Sequence, residues 1–160
     1  MKLDRHWIAA HIPHQGSMCL LEEVLYWDAQ QLTCRSVSHR DAGNPLRAHD
    51  RLGAACAIEY AAQALAVHGA LLRPTSQGSH GFAMLTSARA VDLVVARLDD
   101  IHGDLLVGAQ RLHADGRGAL YSFAVHEGAQ LLAQGRLTVL LDAAQAAKPA
   151  AAGAPRGTST

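Results

Sequence analysis

The stretch from Leu52 to Leu72 constrains the fold more than any other part of the chain. Its one formally charged residue is Glu59, it contains no proline, and alanine recurs throughout. Alanine is the best helix former, so the stretch predicts a helix. Ile58, Leu65, Val67 and Leu71 lie among the alanines, so apolar residues fall on nearly every side. A helix apolar all round is buried rather than laid on a surface. Gly69 loosens its end and Pro74 stops it. The rest of the chain must supply a layer that wraps this helix.

The flanking sequence reads as strands. Trp7 to His14 predicts a short helix or coil leading to a turn at Pro13–Gly16. Met18–Trp27 and Gln31–His39 read as strands joined by a hairpin at Asp28-Ala29-Gln30, and Arg40–Arg51 as a loop. After the helix, Gly81–Leu98 reads as one long strand, or two broken near Ala90-Val91-Asp92. Asp104–His113, Ala119–His126 and Leu131–Leu141 complete the set, with turns at Asp115-Gly116 and Glu127-Gly128. This order predicts an α+β domain over residues 1–142, an antiparallel sheet wrapped around one long buried helix. Ala143–Thr160 holds almost no large apolar residue and reads as a disordered tail.

Composition narrows the function. The formal net charge is +0 and the pI is about 7.2, so nothing draws the whole chain to nucleic acid or anionic lipid. No apolar run is read as reaching the roughly 20 residues of a membrane span. Met1–Ala10 carries Asp4, Arg5 and His6 and is not a signal peptide, so a cytoplasmic location is expected. Cys19, Cys34 and Cys56 lack metal spacing and read as reduced thiols. Most of the ten histidines, including His6, His39, His80, His102, His113 and His126, have no ligand-type partner at helical spacing. His11 and His14 are separated by Pro13, so no metal site is expected.

Two motifs carry a family resemblance. The first is Ile12-Pro13-His14, followed by Met18-Cys19-Leu20-Leu21-Glu22-Glu23-Val24. The second is Glu59-Tyr60-Ala61-Ala62-Gln63-Ala64 on the predicted helix. With the order of elements, residues 7–142 resemble the 3-hydroxyacyl-acyl carrier protein dehydratases, and look closest to the predicted dehydratases of aryl-polyene-type polyketide clusters. The resemblance implies a hotdog fold and a dimer with sites at its interface. It implies a substrate carried on the phosphopantetheine arm of an acyl carrier protein, or on coenzyme A, and no other cofactor. The family's usual catalytic histidine position falls here on Pro45, and the histidine of this loop is His49.

Dehydration of a 3-hydroxyacyl thioester to the trans-2-enoyl thioester needs a base at Cα and an acid on the Cβ oxygen. Glu59, a carboxylate on an apolar helix, is the first candidate, because an unpaired buried carboxylate is costly. His14 and His49 are the histidine candidates. Gln63 lies one turn beyond Glu59 and is a candidate for holding Glu59, a partner histidine or substrate. Gly53 and Ala54, at the helix start, are candidates to offer backbone N–H groups to the thioester oxygen. His68 reads as a packed helix histidine. Arg40, Arg47 and Arg51 form a basic loop suited to an acidic carrier protein, or a solvated one. Two other readings stand beside the dehydratase: an acyl thioesterase in which Glu59 activates water, and a non-catalytic subunit paired with an active hotdog chain.

Overall fold

Asp4 accepts the N–H groups of His6 and Trp7, which starts helix α1 at Arg5–His11. Ile12 leaves the helix in extended conformation, as a residue before proline must. The computed structural model describes residues 1–73 and 83–141. Pro74, His80 and the predicted tail lie outside these residues.

The strand expected at Met18–Trp27 is shorter. Gly16–Met18 forms a 3-10 turn, and β1 runs only over Glu23–Trp27. The intervening Cys19, Leu20 and Leu21 are buried. The backbone of Leu20 is satisfied by side chains instead of a ladder: its N–H donates to Gln63, and its carbonyl accepts from Ser36 and Ser38. Strand β2 spans Gln31–Ser36 and also ends early, because Ser38–Arg40 turns to bury His39. The hairpin between them is the predicted one, with Asp28 accepting the N–H groups of Gln30 and Gln31.

Helix α2 spans Ala57–Leu72, preceded by a 3-10 turn at Ala54–Cys56. It starts later than Leu52 because Leu52–Ala54 pairs with the segment after the next strand. Ala54 N–H donates to Ala96 O and Leu98 N–H to Leu52 O. Strands β3 (Ala83–Leu93), β4 (Leu105–Ala114), β5 (Gly118–Glu127) and β6 (Gln130–Leu141) follow. They join β1 and β2 in one antiparallel sheet of order β1-β2-β4-β5-β6-β3. Of the expected Gly81–Leu98 strand, residues 81 and 82 are not described, and the ladder ends at Leu93. It is broken where expected: Ala90 has φ +50 and the register shifts between Arg89 and Asp92.

The sheet curves around α2. Alternate residues of β5 (Ala119, Tyr121, Phe123, Val125) face the helix and are buried. Ala57, Tyr60, Ala61, Ala64, Leu65 and Val67 of α2 meet them in one core. Ala54–Leu72 is long and apolar enough to cross a membrane by composition, which corrects the reading that no such run exists. Here that apolarity is used inside the sheet. His68 is a packed helix histidine, as read: its Nδ1 faces the Tyr121 hydroxyl at 2.9 Å and its Nε2 the Asp28 carbonyl at 2.9 Å.

Candidate active site

Glu59 stands in the first turn of α2, half-buried, and its environment is built from three directions. His14 reaches it from the segment after α1, with His14 Nε2 3.0 Å from Glu59 Oε1. That segment is pinned to α1 by the two residues that follow His14. Gln15 donates to the carbonyl of Ala9, and Arg5 donates to the carbonyl of Gly16. The His14 and Glu59 side chains are 28% and 32% exposed, so the pair lies at the wall of the core with one side open.

Gln63 holds Glu59 from below. Its Nε2 donates to Glu59 Oε1 at 3.0 Å and to Met18 O at 2.7 Å, and its Oε1 accepts Leu20 N–H at 2.9 Å. Gln63 is fully buried and both of its N–H donors are spent. This corrects its placement among substrate-binding residues: it orients Glu59 and locks Met18–Leu20 to the helix. Two donors thus meet on Oε1, while Oε2 carries no hydrogen bond among the described residues. The Glu59 carboxyl lies below the ordinary glutamate range, chiefly through its hydrogen bond with His14, with burial opposing and Gln63 assisting.

Tyr60 extends the framework inward. Its hydroxyl accepts from Asn44 at 3.0 Å and donates to Ser38 Oγ at 2.8 Å, and Ser38 in turn donates to Leu20 O. Sequence reading missed this buried network, although Tyr60 sits inside the helix motif. Nothing in spacing joins Ser38 and Asn44 to it.

The start of α2 supplies backbone donors in alternation. Ala54 N–H is taken by Ala96 O at 3.1 Å, so the expectation that Ala54 offers this group to a ligand is corrected. Gly53 pairs with Arg97 in a single antiparallel bridge, and in such a pair the N–H of Gly53 points away from its neighbour. Gly53 and Ala55 N–H groups make no hydrogen bond among the described residues. A side chain at Gly53 would meet nothing within 4 Å, and its φ is −63°, so this chain itself does not require glycine there. Asp99, also missed in sequence, completes the support: it accepts Leu52 N–H at 2.8 Å and is paired with Arg97.

The structure separates His49 from the pair. It forms, with Asp50, the tip of a two-residue turn closed by mutual hydrogen bonds of Ala48 and Arg51. Both tip residues have positive φ, +52 and +57. No hydrogen bond or ion pair joins His49 to Glu59 or His14 among the described residues. The basic loop is also partly committed. Arg40 pairs with Asp104 and donates to His102 O, and Arg47 donates to His39 O.

Burial raises all three thiols, that of Cys34 to about 12, which leaves none poised as a thiolate nucleophile. Among the described residues no group of His, Cys, Asp and Glu could hold a metal ion. A groove of about 590 Å³ crosses the outer face of the sheet, past Thr33, Gly108, Gln110, Ser122 and Arg136. It is remote in kind from this site: it shares no residue with the Glu59 cluster and lies on the side of the sheet away from α2.

Comparison with known proteins bears on this geometry. Solved structures share the fold. The dehydratase heterocomplex ApeI:P from Xenorhabdus doucetiae is similar with TM-score 0.76 and 23% identity, over 87% of this chain and 95% of that one. A single-residue mutant of the thioesterase PA1618 from Pseudomonas aeruginosa is similar with TM-score 0.56 and 13% identity, over 75% and 80%. The TT0310 protein from Thermus thermophilus is similar with TM-score 0.52 and 19% identity, over 74% and 89%. At these identities the likeness shows the hotdog fold alone. No curated protein matches the chain. Residues 6–149 match the family described as ApeP-like, ApeP dehydratase, so His14, Glu59 and Gln63 all fall inside the matched span. With nearly the whole chain matched, this protein belongs to the ApeP-like dehydratase family.

Proposed function

We propose that this chain removes water from a 3-hydroxyacyl thioester carried on the phosphopantetheine arm of an acyl carrier protein, giving the trans-2-enoyl thioester. The observation that carries the reading is the Glu59 carboxylate, fixed through Oε1 by His14 and Gln63 with Oε2 open. An elimination of this kind needs a proton acceptor at Cα, a proton donor at the Cβ hydroxyl, and stabilisation of the charge that grows on the thioester oxygen. Glu59, with His14 and Gln63 holding its Oε1, supplies the group that takes up and returns a proton. The unspent N–H of Gly53, just before the 3-10 turn that leads into α2, supplies a donor for the oxygen, and the open space at its Cα lets an acyl group approach the backbone.

The same reading includes a second hotdog subunit. Strand β3 is a sheet edge, and Met84 and Leu85 on it, with Leu93 and Val94 at its end, are exposed. A long apolar edge in a soluble protein is normally covered. The similar structure from Xenorhabdus doucetiae is a heterocomplex, so the proposed partner is either a second copy or a different hotdog chain.

Incubation with a 3-hydroxyacyl carrier protein followed by intact-protein mass spectrometry tests the reaction. Loss of one water supports it. Loss of the whole acyl group points to the thioesterase reading. An unchanged mass that turns to water loss when a second hotdog chain is added assigns this chain a partner-dependent role.

A further inference from the structure

His14 presents an asymmetry that the pairing with Glu59 does not explain. Its Nε2 faces the carboxylate, but its Nδ1 is sealed from solvent and has no hydrogen-bond partner among the described residues. A ring that cycles through the imidazolium form carries N–H on both nitrogens. At Nδ1 that second N–H would be buried without an acceptor, which carries the full cost of desolvating a charged donor. The other neutral tautomer, with the proton on Nδ1, buries the same N–H and turns a lone pair of Nε2 toward a carboxylate. The remaining state is neutral, with Nε2–H donating to Glu59 Oε1. Gln63 Nε2–H donates to the same oxygen. Both neighbours are therefore fixed donors, and among the described residues the unoccupied proton site of the cluster is Glu59 Oε2. Cys56, whose thiol feels the Glu59 charge, is directed to the Leu46 carbonyl instead.

From this we propose that both proton transfers run through one carboxylate oxygen, and that His14 is a positioning residue rather than the base. The inference rests on the dehydratase reading above. Oε2 removes the Cα proton, leaving the electron pair as an enolate with its charge on the thioester oxygen. The same proton, now on Oε2, passes to the Cβ hydroxyl. The Cβ–O bond breaks, water departs, the Cα=Cβ bond forms, and Glu59 returns to carboxylate. Protons and electrons balance without a second acid or base. The step requires the Cα proton and the Cβ hydroxyl to lie on one face of the substrate.

Kinetics on His14 variants test the assignment, because glutamine keeps an N–H donor at similar reach but cannot act as a base. Glu59→Gln is expected to lose about 10²–10⁴-fold in kcat. His14→Ala is expected to lose on the order of 10²-fold through misplacement of the carboxylate. His14→Gln is expected to recover to within about tenfold of the unmodified protein, with the same pH–rate profile. If His14→Gln falls as far as Glu59→Gln, or if an imidazole limb in the pH–rate profile vanishes with the substitution, His14 is the base and the proposal is overturned. Long-range ¹⁵N–¹H NMR of the ring gives a readout independent of turnover. A neutral Nε2–H tautomer at pH 7 supports the proposal, and an imidazolium or an Nδ1–H tautomer overturns it. A chain that converts no 3-hydroxyacyl thioester while showing the Nε2–H tautomer removes the dehydratase reading and leaves the donor role of His14 standing.

Discussion

Single side chains carry an unusual share of the work around Leu20. A strand would have satisfied its backbone with a neighbouring strand; here Gln63, Ser36 and Ser38 do so. Gln63→Leu would leave Leu20 N–H buried without its partner and release Met18 O. We expect a loss of about 1–3 kcal/mol in stability, read from the urea midpoint, together with loss of turnover as Glu59 loses a donor. His39 and His68 give the fold a pH dependence. Both are buried, and desolvation lowers each folded pKa below the ordinary 6.5. The unfolded chain then binds more protons than the folded chain as pH drops through that range, so stability is full above about pH 6.5 and declines below it. The decline continues at lower pH as Glu59, depressed in the fold, is protonated. Urea midpoints measured from pH 8 to pH 4 check this, and His68→Gln should be less stable at pH 7 but lose less on acidification. Glu59 and Gln63 were legible because four residues along a helix is one turn, and His14 because it sits in a motif. Their meeting was only partly so: no periodicity places a residue that follows α1 against the first turn of α2.

At the scale of elements, the reading was most secure where one physical pattern dominated. α2 was legible from alanine content, and the β5–β6 hairpin from the turn signal at Glu127-Gly128. β1 and β2 were misjudged in length because serine and glutamine side chains from distant positions took over backbone pairing, and sequence carries no record of that. The late start of α2 has the same origin, since Leu52–Ala54 is claimed by Ala96–Asp99. The turn at Ala48–Arg51 shows a strain that sequence did not announce. Its two central residues adopt the left-handed conformation of a type I′ turn, which Asn-Gly fills at least cost. Replacing them with His49→Asn and Asp50→Gly is expected to raise stability by about 1–2 kcal/mol, measured as an increase in Tm. Turnover by the double variant settles His49: a loss comparable with Glu59→Gln would return it to the chemistry, and retained turnover would remove it.

For the whole molecule, the hotdog arrangement was legible in outline because a helix apolar all round demands a wrapping sheet. The partner was not legible to the same degree. Met84, Leu85, Leu93 and Val94 gather along one edge only once β3 is placed at the end of the sheet, and the order of strands is not a local property. Light scattering at micromolar concentration is expected to report a dimer, alone or with a second hotdog chain. A stable monomer in both conditions would exclude a site that depends on an interface. Disrupting the edge by Leu85→Lys should then lower the mass in solution while leaving the secondary structure seen by circular dichroism intact.

The order β1-β2-β4-β5-β6-β3 also sets a timetable for synthesis. β3 directly follows α2 and the residues after it, yet its neighbour in the sheet is β6, the last of the described strands to leave the ribosome. Until Gln130–Leu141 emerges, β3 has no ladder and the helix lacks one wall of its enclosure. Domains closed by contacts between distant segments fold late and together. A nascent chain of this protein therefore carries an apolar helix and an open strand edge through most of its translation, and its need for chaperones should be greatest in the interval before the final strand arrives.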